Sequence, residues 1–258
     1  MRSMRDSVVF VTGAGRGVGR AVAVSFAELG AKVAVQDISP VNLEETLRLV
    51  RTAGSDGLEL VGDMSKKMQA QSMIELARAE LGEIDILINR WAVAPAVDLL
   101  TVDEWDWDRT LGVNLKGHFL SIQSIGRLMS DRGEGLIVNL ILPPTRFDPA
   151  KNYPVYEVSA AGLHELTVQA GNELRSQGVQ VFGLEAGREG SDFKVSDTLE
   201  KEVTFTWWQR QPEVFALALV ELCVQAEDIG QGQVLTVERD GSVRSMKGPD
   251  GRRTRAEE

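Results

Sequence analysis

The sequence predicts a single α/β domain in which a parallel sheet is covered by helices on both faces, and three observations carry that prediction. Short β-branched runs (SVVFVT, KVAVQD, GLELVG, IDILIN, GLIVNLIL, GVQVFGLE and QVLTVE) alternate with longer stretches of helical period. Their near-continuous apolar character suits strands buried on both sides. At 258 residues, with 43% hydrophobic and 26% charged residues, the chain is long enough for one large core, and no internal repeat or interdomain linker divides it. A glycine-rich turn follows the first run and opens the first helical stretch, a connection that presents backbone N–H groups to an anion.

That turn, in VVFVTGAGRGVGRA, places Gly13, Gly17 and Gly19 between strand and helix. Glycines allow the tight bend and a close backbone approach, and the helix N-terminus offers partial positive charge to a pyrophosphate. The second run ends at Asp37, where a carboxylate accepts hydrogen bonds from an adenosine ribose and repels a 2′-phosphate, which favours NAD(H) over NADP(H). Asp37 also suits a turn or cap before Ser39-Pro40, and Arg16 is a candidate partner for a 2′-phosphate. Helical stretches are expected near 17–29, 41–53, 66–81, 103–130, 156–176 and 212–226. Two long connections, PPTRFDPAKNYP after the fifth run and residues 187–211 after the sixth, lie at carboxyl ends of strands, where ligand crevices form. The second holds Phe193, Phe205, Trp207 and Trp208, which suit a substrate lid, an oligomer contact or packing on the core. The domain is expected to span 1–246, with a mobile charged tail at 247–258.

Composition excludes several other functions. The net charge of −10 argues against nucleic acid and anionic membrane surfaces as partners. The N-terminal apolar run VVFV is too short for a signal peptide, and no stretch reaches the roughly 18 apolar residues of a membrane span, so a cytoplasmic protein is expected. Cys223 sits in the apolar run FALALVELCV and reads as a buried small hydrophobe. With one cysteine, and with His118 and His164 far apart, no disulfide and no metal site is expected.

Several ordered motifs resemble the short-chain dehydrogenases/reductases from about Val8 to Gly241: TGxxxGxG (Thr12, Gly13, Gly17, Gly19), the acidic end of the second strand, Asp63 in GDMS, IDILIN ending in Asn89, VNLKG with Asn114, GLIVNL, Tyr156 in its helix, and GQVLTVERDG. The resemblance implies a Rossmann-type, doubly wound, mostly parallel sheet of seven strands, a small-molecule substrate, and a homotetramer or homodimer. It implies a nicotinamide cofactor held by Thr12, Gly13, Arg16, Gly17, Val18, Gly19, Asp37, Asp63, Met64, Asn89 and Gly187. It also implies a catalytic tetrad in which Asn114 and Tyr156 join a serine and a lysine.

The last two residues are missing. A free tyrosine, with a pKa near ~10, is a poor base at neutral pH, and the family's lysine one turn later lowers it. In VYEVSAAGLHELT that position is Ala160, so a charge that would favour the phenolate by up to ~4 kcal/mol is gone. The serine pair aligns with Ile141 and Leu142, which cannot orient a substrate oxygen. Tyr153 is a possible substitute for Tyr156, but the residue one turn beyond it is Glu157, which raises a phenol pKa. Where the family reads Asn-Asn-Ala-Gly, this chain has NRWA, so Trp91 either packs outward or narrows the site; the usual Pro-Gly becomes Ala186-Gly187. Asn114 and Tyr156 each also admit a purely structural role, and Arg146 and Lys151 are candidate replacement cations.

Three readings remain open: a NAD(H)-dependent oxidoreductase with a weakened or altered mechanism, a non-redox enzyme such as a cyclase, isomerase, dehydratase or lyase, and a catalytically silent partner subunit. The apolar floor from Ile141 to Pro144 and the aromatic loop point to a bulky, weakly polar substrate, with Leu142, Pro143, Phe193, Trp207 and Trp208 as pocket residues.

Overall fold

The computed structural model describes residues 3–141, 152–186, 194–195, 203–204, 211–226 and 229–245. Along the chain run β1 (Val8–Thr12), α1 (Gly17–Glu28), β2 (Lys32–Asp37), α2 (Pro40–Thr52), β3 (Gly57–Val61), α3 (Lys67–Leu81), β4 (Ile84–Asn89), α4 (Glu104–Leu111), α5 (His118–Arg132) and β5 (Gly135–Ile141). There follow α6 (Pro154–Leu174), β6 (Val179–Ala186), the short strands β7 (Lys194–Val195) and β8 (Val203–Thr204), α7 (Pro212–Val224), β9 (Val234–Val237) and β10 (Val243–Ser245). The main sheet has eight strands in the order β10-β9-β6-β5-β4-β1-β2-β3, and β7 pairs separately with β8.

Seven of those eight strands are parallel and are the seven apolar runs of the sequence. The eighth, β10, is a correction to the expected seven. It adds antiparallel to β9 through a turn closed by Glu238 and Ser242 backbones, and its three residues are too few and too polar to show a period. Strands β1 and β4 are neighbours at the centre, with β2 and β3 stepping away on one side and β5, β6 and β9 on the other. A ligand crevice is expected beyond the carboxyl ends of the two central strands, where the order reverses.

The alternation of side chains along β1 shows how two cores arise from one sheet. Val9 and Val11 join Phe26, Phe182, Leu184 and Phe215 on the face covered by α1 and α7. Val8 and Phe10 point the other way, into the cluster with Leu87, Met129, Ile137 and Val181 under α3 and α5. Cys223 is fully buried in the first cluster, as its apolar surroundings predict. Among the described residues no helix is long and apolar enough to cross a membrane.

The helix expected over 103–130 is interrupted. Between α4 and α5 the backbone forms a π-helical segment, Gly112–Gly117. Such a segment shifts the pairing by one residue and leaves carbonyls for other donors. The interruption is invisible in apolar period, because one extra residue per turn hardly disturbs the pattern.

Helix α6 approaches the loop before β9 closely enough that backbone meets backbone: a Cβ built on Gly171 collides with the amide nitrogen and Cα of Gly232. Alanine is the better helix former by about 1 kcal/mol, yet overpacking here should dominate. Gly171→Ala should destabilise the protein by about 1–3 kcal/mol, read from urea midpoints at constant m. An unchanged or higher midpoint would show that the loop yields instead.

Candidate functional site

The turn between β1 and α1 is built against the end of β4. Gly13 and Gly17 hold φ of +59° and +54°, and a Cβ on Gly13 would collide with the carbonyl of Arg90. A Cβ on Gly19 would collide with the carbonyl of Gly13, so helix α1 sits directly on the turn. Gly13 therefore needs glycine for space as well as for backbone angle, Gly17 for its angle and Gly19 for space. Thr12 is fully buried, donating to the Ile88 carbonyl at 3.1 Å and accepting from the Arg90 N–H at 2.9 Å. Its hydroxyl thus stitches β1 to β4. Val18 is also fully buried, packed in the core beneath the turn.

The turn is clamped from the β2 side as well. Asp37 accepts from the Gly15 N–H at 3.1 Å with one oxygen and from the Ser39 N–H at 3.0 Å with the other. Arg20 donates to Thr46 Oγ1 at 3.0 Å and to the carbonyls of Gly15 and Asn42, and Thr46 donates to the Ala14 carbonyl at 2.8 Å. Both expected roles of Asp37 are compatible with this geometry, since each carboxylate oxygen can accept a second hydrogen bond. Arg16 caps α1 in an extended conformation. Asp63 accepts from the Ser65 N–H at 2.8 Å, and Met64 is buried in the core under α3.

The turn leaves room for a dinucleotide's diphosphate: apart from its chain neighbours and its own helix backbone, a Cβ on Gly17 would meet among the described residues only the Arg90 guanidinium Nη2, at 4.0 Å. The residues present fit such a group, with open space over the turn, N–H donors at the start of α1, and no acidic residue in that helix's first turn. Among the described residues no cluster of potential metal ligands occurs.

At the other end lies a small crevice walled by Trp91, Leu140, Tyr156, Ser159, Ala160 and Leu163, with Asn114 and Ala92 at its side. No lysine or arginine lines it among the described residues. Asn114 is wholly engaged. Its Oδ1 accepts from the Val93 N–H at 2.8 Å, and its Nδ2 donates to the Val93 carbonyl at 2.8 Å and to Ser159 Oγ at 2.9 Å. Ser159 in turn donates to the Tyr156 carbonyl at 2.7 Å. Asn114 therefore positions the tyrosine helix and the chain after β4, and it also lines the crevice.

Asn89 is likewise internal. A buried chain of hydrogen bonds runs from Ser121 to Asn89, from Asn89 to Asn139 and from Asn139 to Thr167, joining α5, β4, β5 and α6. It holds the carboxyl ends of the two strands in fixed register, since every member is satisfied.

Trp91 packs inward. Its indole N–H donates to the Val113 carbonyl in the π-helical segment at 2.7 Å, and its ring lies 4.8 Å from that of His118. It lines the crevice, as does Ala160.

The electrostatics of this end are those of an uncharged phenol. Burial above all, then the carboxylates of Glu157 and Glu185, push Tyr156 well above its ordinary pKa. Glu185 lies on β6 at 9% exposure and accepts from Thr236 Oγ1 at 3.2 Å. Burial holds the His118 imidazole down at a pKa of about 3, although the carbonyls of Asn114 and Val113 pull slightly the other way. Neither of its nitrogens makes a hydrogen bond of normal geometry among the described residues.

The sequence profile described as short chain dehydrogenase matches residues 7–201. The chain belongs to the short-chain dehydrogenase family. It is 34% identical over 196 residues to an uncharacterized oxidoreductase of Thermotoga maritima, covering 74% of each chain. It is 31% identical over 199 residues to the 3-oxoacyl-[acyl-carrier-protein] reductase FabG of Staphylococcus epidermidis, covering 75% of this chain and 80% of that one. Among solved structures, a metagenomic short-chain oxidoreductase in complex with NADP is 26% identical, with a TM-score of 0.77 over 92% of this chain and 98% of that one. The fold is therefore the family's, and the family binds nicotinamide cofactors.

Within this family member, Gly187, Leu142, Pro143, Phe193, Trp207 and Trp208 lie outside the described residues, as do Arg146 and Lys151. Sequence reasoning missed Arg90, Ser159 and Glu185. The only available signals were a cation directly after IDILIN and a charge inside the otherwise apolar GVQVFGLEA.

The buried imidazole makes a prediction about acid stability. The folded pKa of about 3 lies below the unfolded value near 6.5, so between them the unfolded chain binds a proton that the folded chain refuses. Stability should be unaffected above pH 6.5 and fall as pH drops below it, by about 1.4 kcal/mol per unit. From pH 7 to pH 5 the unmutated protein should lose roughly 2 kcal/mol more than His118→Phe, measured by urea unfolding at each pH. Parallel losses in the two proteins would place the imidazole in contact with water.

Proposed function

We propose that this protein is an oxidoreductase that favours NAD(H) and acts on a bulky, weakly polar alcohol or carbonyl compound, using a neutral phenol where the family's relay would use a tyrosine and a lysine. The observation that carries this reading is Tyr156 on the crevice wall with Ala160 one turn later and no cationic side chain lining the crevice among the described residues. The nicotinamide cofactor, when bound, donates or accepts the hydride. The chain's own contribution follows from the protonation state of Tyr156. A phenol held protonated donates a hydrogen bond to a substrate oxygen and surrenders its proton as negative charge develops there, which serves carbonyl reduction. It is the wrong form for alcohol oxidation, which needs a base.

Apolar walls at Leu140, Ala160 and Leu163 and the ring of Trp91 support a substrate with little polarity around the reacting carbon. Asp37 supports the preference for NAD(H), because it lies beside the glycine-rich turn and a second phosphate would meet its charge. The metagenomic short-chain oxidoreductase carries NADP, so the fold admits a 2′-phosphate, and the preference proposed for this chain rests on Asp37 alone. A non-redox reaction is the second reading, favoured by the carboxylates of Glu157 and Glu185 that keep the phenol neutral.

NADH titrated into the purified protein should bind more tightly than NADPH, and Asp37→Ala should weaken NADH by about 1–3 kcal/mol. Equal or tighter NADPH binding would overturn the preference. Between pH 7 and 9, NADH-dependent reduction of bulky ketones should be nearly flat, while oxidation of the corresponding alcohols should rise about tenfold per unit as the phenolate fraction grows.

The crevice geometry also predicts how the usual relay could be rebuilt. Ala160→Lys places an ammonium one turn from the phenol, in a crevice that the Trp91 ring also lines. Trp91→Ala combined with Ala160→Lys should therefore gain more alcohol oxidation at pH 7 than the sum of the single changes. A pair that binds NADH and turns over no alcohol or ketone favours the non-redox reading.

A further inference from the structure

We propose that Arg90 is a binding residue for the diphosphate of the dinucleotide, a cationic contact that this chain adds where the family's motif has an asparagine. The inference rests on the reading that a dinucleotide binds over the glycine-rich turn, and it assigns a specific side chain to that event.

Arg90 is the first residue after β4, at the point where the central strands diverge. Its backbone is fixed from both sides. The N–H donates to Thr12 Oγ1 at 2.9 Å, and the carbonyl presses on Gly13 so closely that no side chain is possible there. That contact sends the Arg90 side chain along the turn instead of away from it. Its Cδ lies 3.5 Å from where a Gly13 Cβ would stand, and its Nη2 lies 4.0 Å from the corresponding point on Gly17. The guanidinium thus spans the turn and borders the open side of Gly17, at the start of α1.

The chemistry of that location selects a doubly charged anion. A helix N-terminus carries about half a positive charge and a set of N–H donors, which suits one phosphoryl group. A guanidinium adds a full charge and a rigid fork of donors matched to phosphate oxygens. No acidic residue occupies the first turn of α1, and the neighbouring carboxylate of Asp37 accepts from the Gly15 and Ser39 N–H groups. The chain therefore has a cation at the diphosphate end of the cleft while Ala160 leaves none from its own position at the crevice end. Cofactor affinity is in this way shifted from the reacting end of the dinucleotide to its middle.

The test uses the full chain, with binding rather than turnover as the readout. NADH, ADP, adenosine and adenosine 2′-monophosphate are titrated by calorimetry into the unmutated protein, Arg90→Gln and Arg90→Lys, with thermal unfolding of each recorded in parallel. Arg90→Gln should weaken NADH and ADP roughly ten- to hundredfold, the range for losing a charged hydrogen bond, and leave adenosine within about twofold. Arg90→Lys should recover part of the loss, because it keeps the charge without the fork. If Arg90→Gln does not fold, the Arg90→Lys protein must still show weaker ADP binding with unchanged adenosine binding. Unchanged or tighter ADP binding in either variant overturns the inference, as does an equal loss for adenosine or a loss confined to adenosine 2′-monophosphate. An unmutated protein that binds neither NADH nor ADP overturns this inference and the proposed function together, whereas NADH binding that is indifferent to Arg90 overturns this inference alone.

Discussion

The contact between the end of β1 and the end of β4 is the constraint on which the rest of the structure depends. Thr12 is hydrogen-bonded to both Ile88 and Arg90, and Gly13 lies flush against the Arg90 carbonyl. A parallel pair at the centre of a doubly wound sheet has no hairpin to set its register, so side chain and backbone contacts at its carboxyl end must do so. Once that seam is closed, the turn after β1 and the chain after β4 diverge from one point and form the two walls of a cleft. Any side chain at residue 13 would separate them. The same seam explains why a threonine and a glycine in a nucleotide-binding motif need not touch a nucleotide: they build the walls.

A second layer of constraint holds the crevice end. Asn114 fastens the chain after β4 to the tyrosine helix through Val93 and Ser159, and the π-helical segment in which it sits gives Trp91 a carbonyl to bond. Trp91 and Ala160 then share one small space. A lysine in place of Ala160 would have to find room beside an indole that is itself held by a hydrogen bond and by the His118 ring.

Charge is distributed with the same economy. Two carboxylates, Glu157 and Glu185, bear on the phenol of Tyr156, and the imidazole of His118 is buried neutral. Among the described residues lining the crevice there is no lysine or arginine, and a protonated phenol can stabilise an oxygen only by donating a hydrogen bond to it. A full positive charge, that of Arg90, borders the glycine-rich turn.

Read from the sequence alone, the strands, the glycine-rich turn and the order of the motifs were all legible, because each has a period or a composition that survives in one dimension. The runs VVFVT, IDILIN and GLIVNL are apolar on both faces and could only be buried strands, and Gly13, Gly17 and Gly19 mark a turn that no other residues could make. Strand β10 was not legible because three residues carry no period, and the π-helical segment was not because it adds a single residue to a helical pattern. The direction of a side chain was never in the sequence. Trp91 had two open orientations until the Val113 carbonyl selected one, Asn89 proved to belong to a buried hydrogen-bonded chain, and Arg90 and Glu185 were brought to the two ends of the cleft by strands whose own patterns said nothing of them. Apolar burial along a strand is a local property that the residues themselves determine, whereas the partners of a polar side chain are contributed by segments far away in the chain, and only the tertiary structure brings those together.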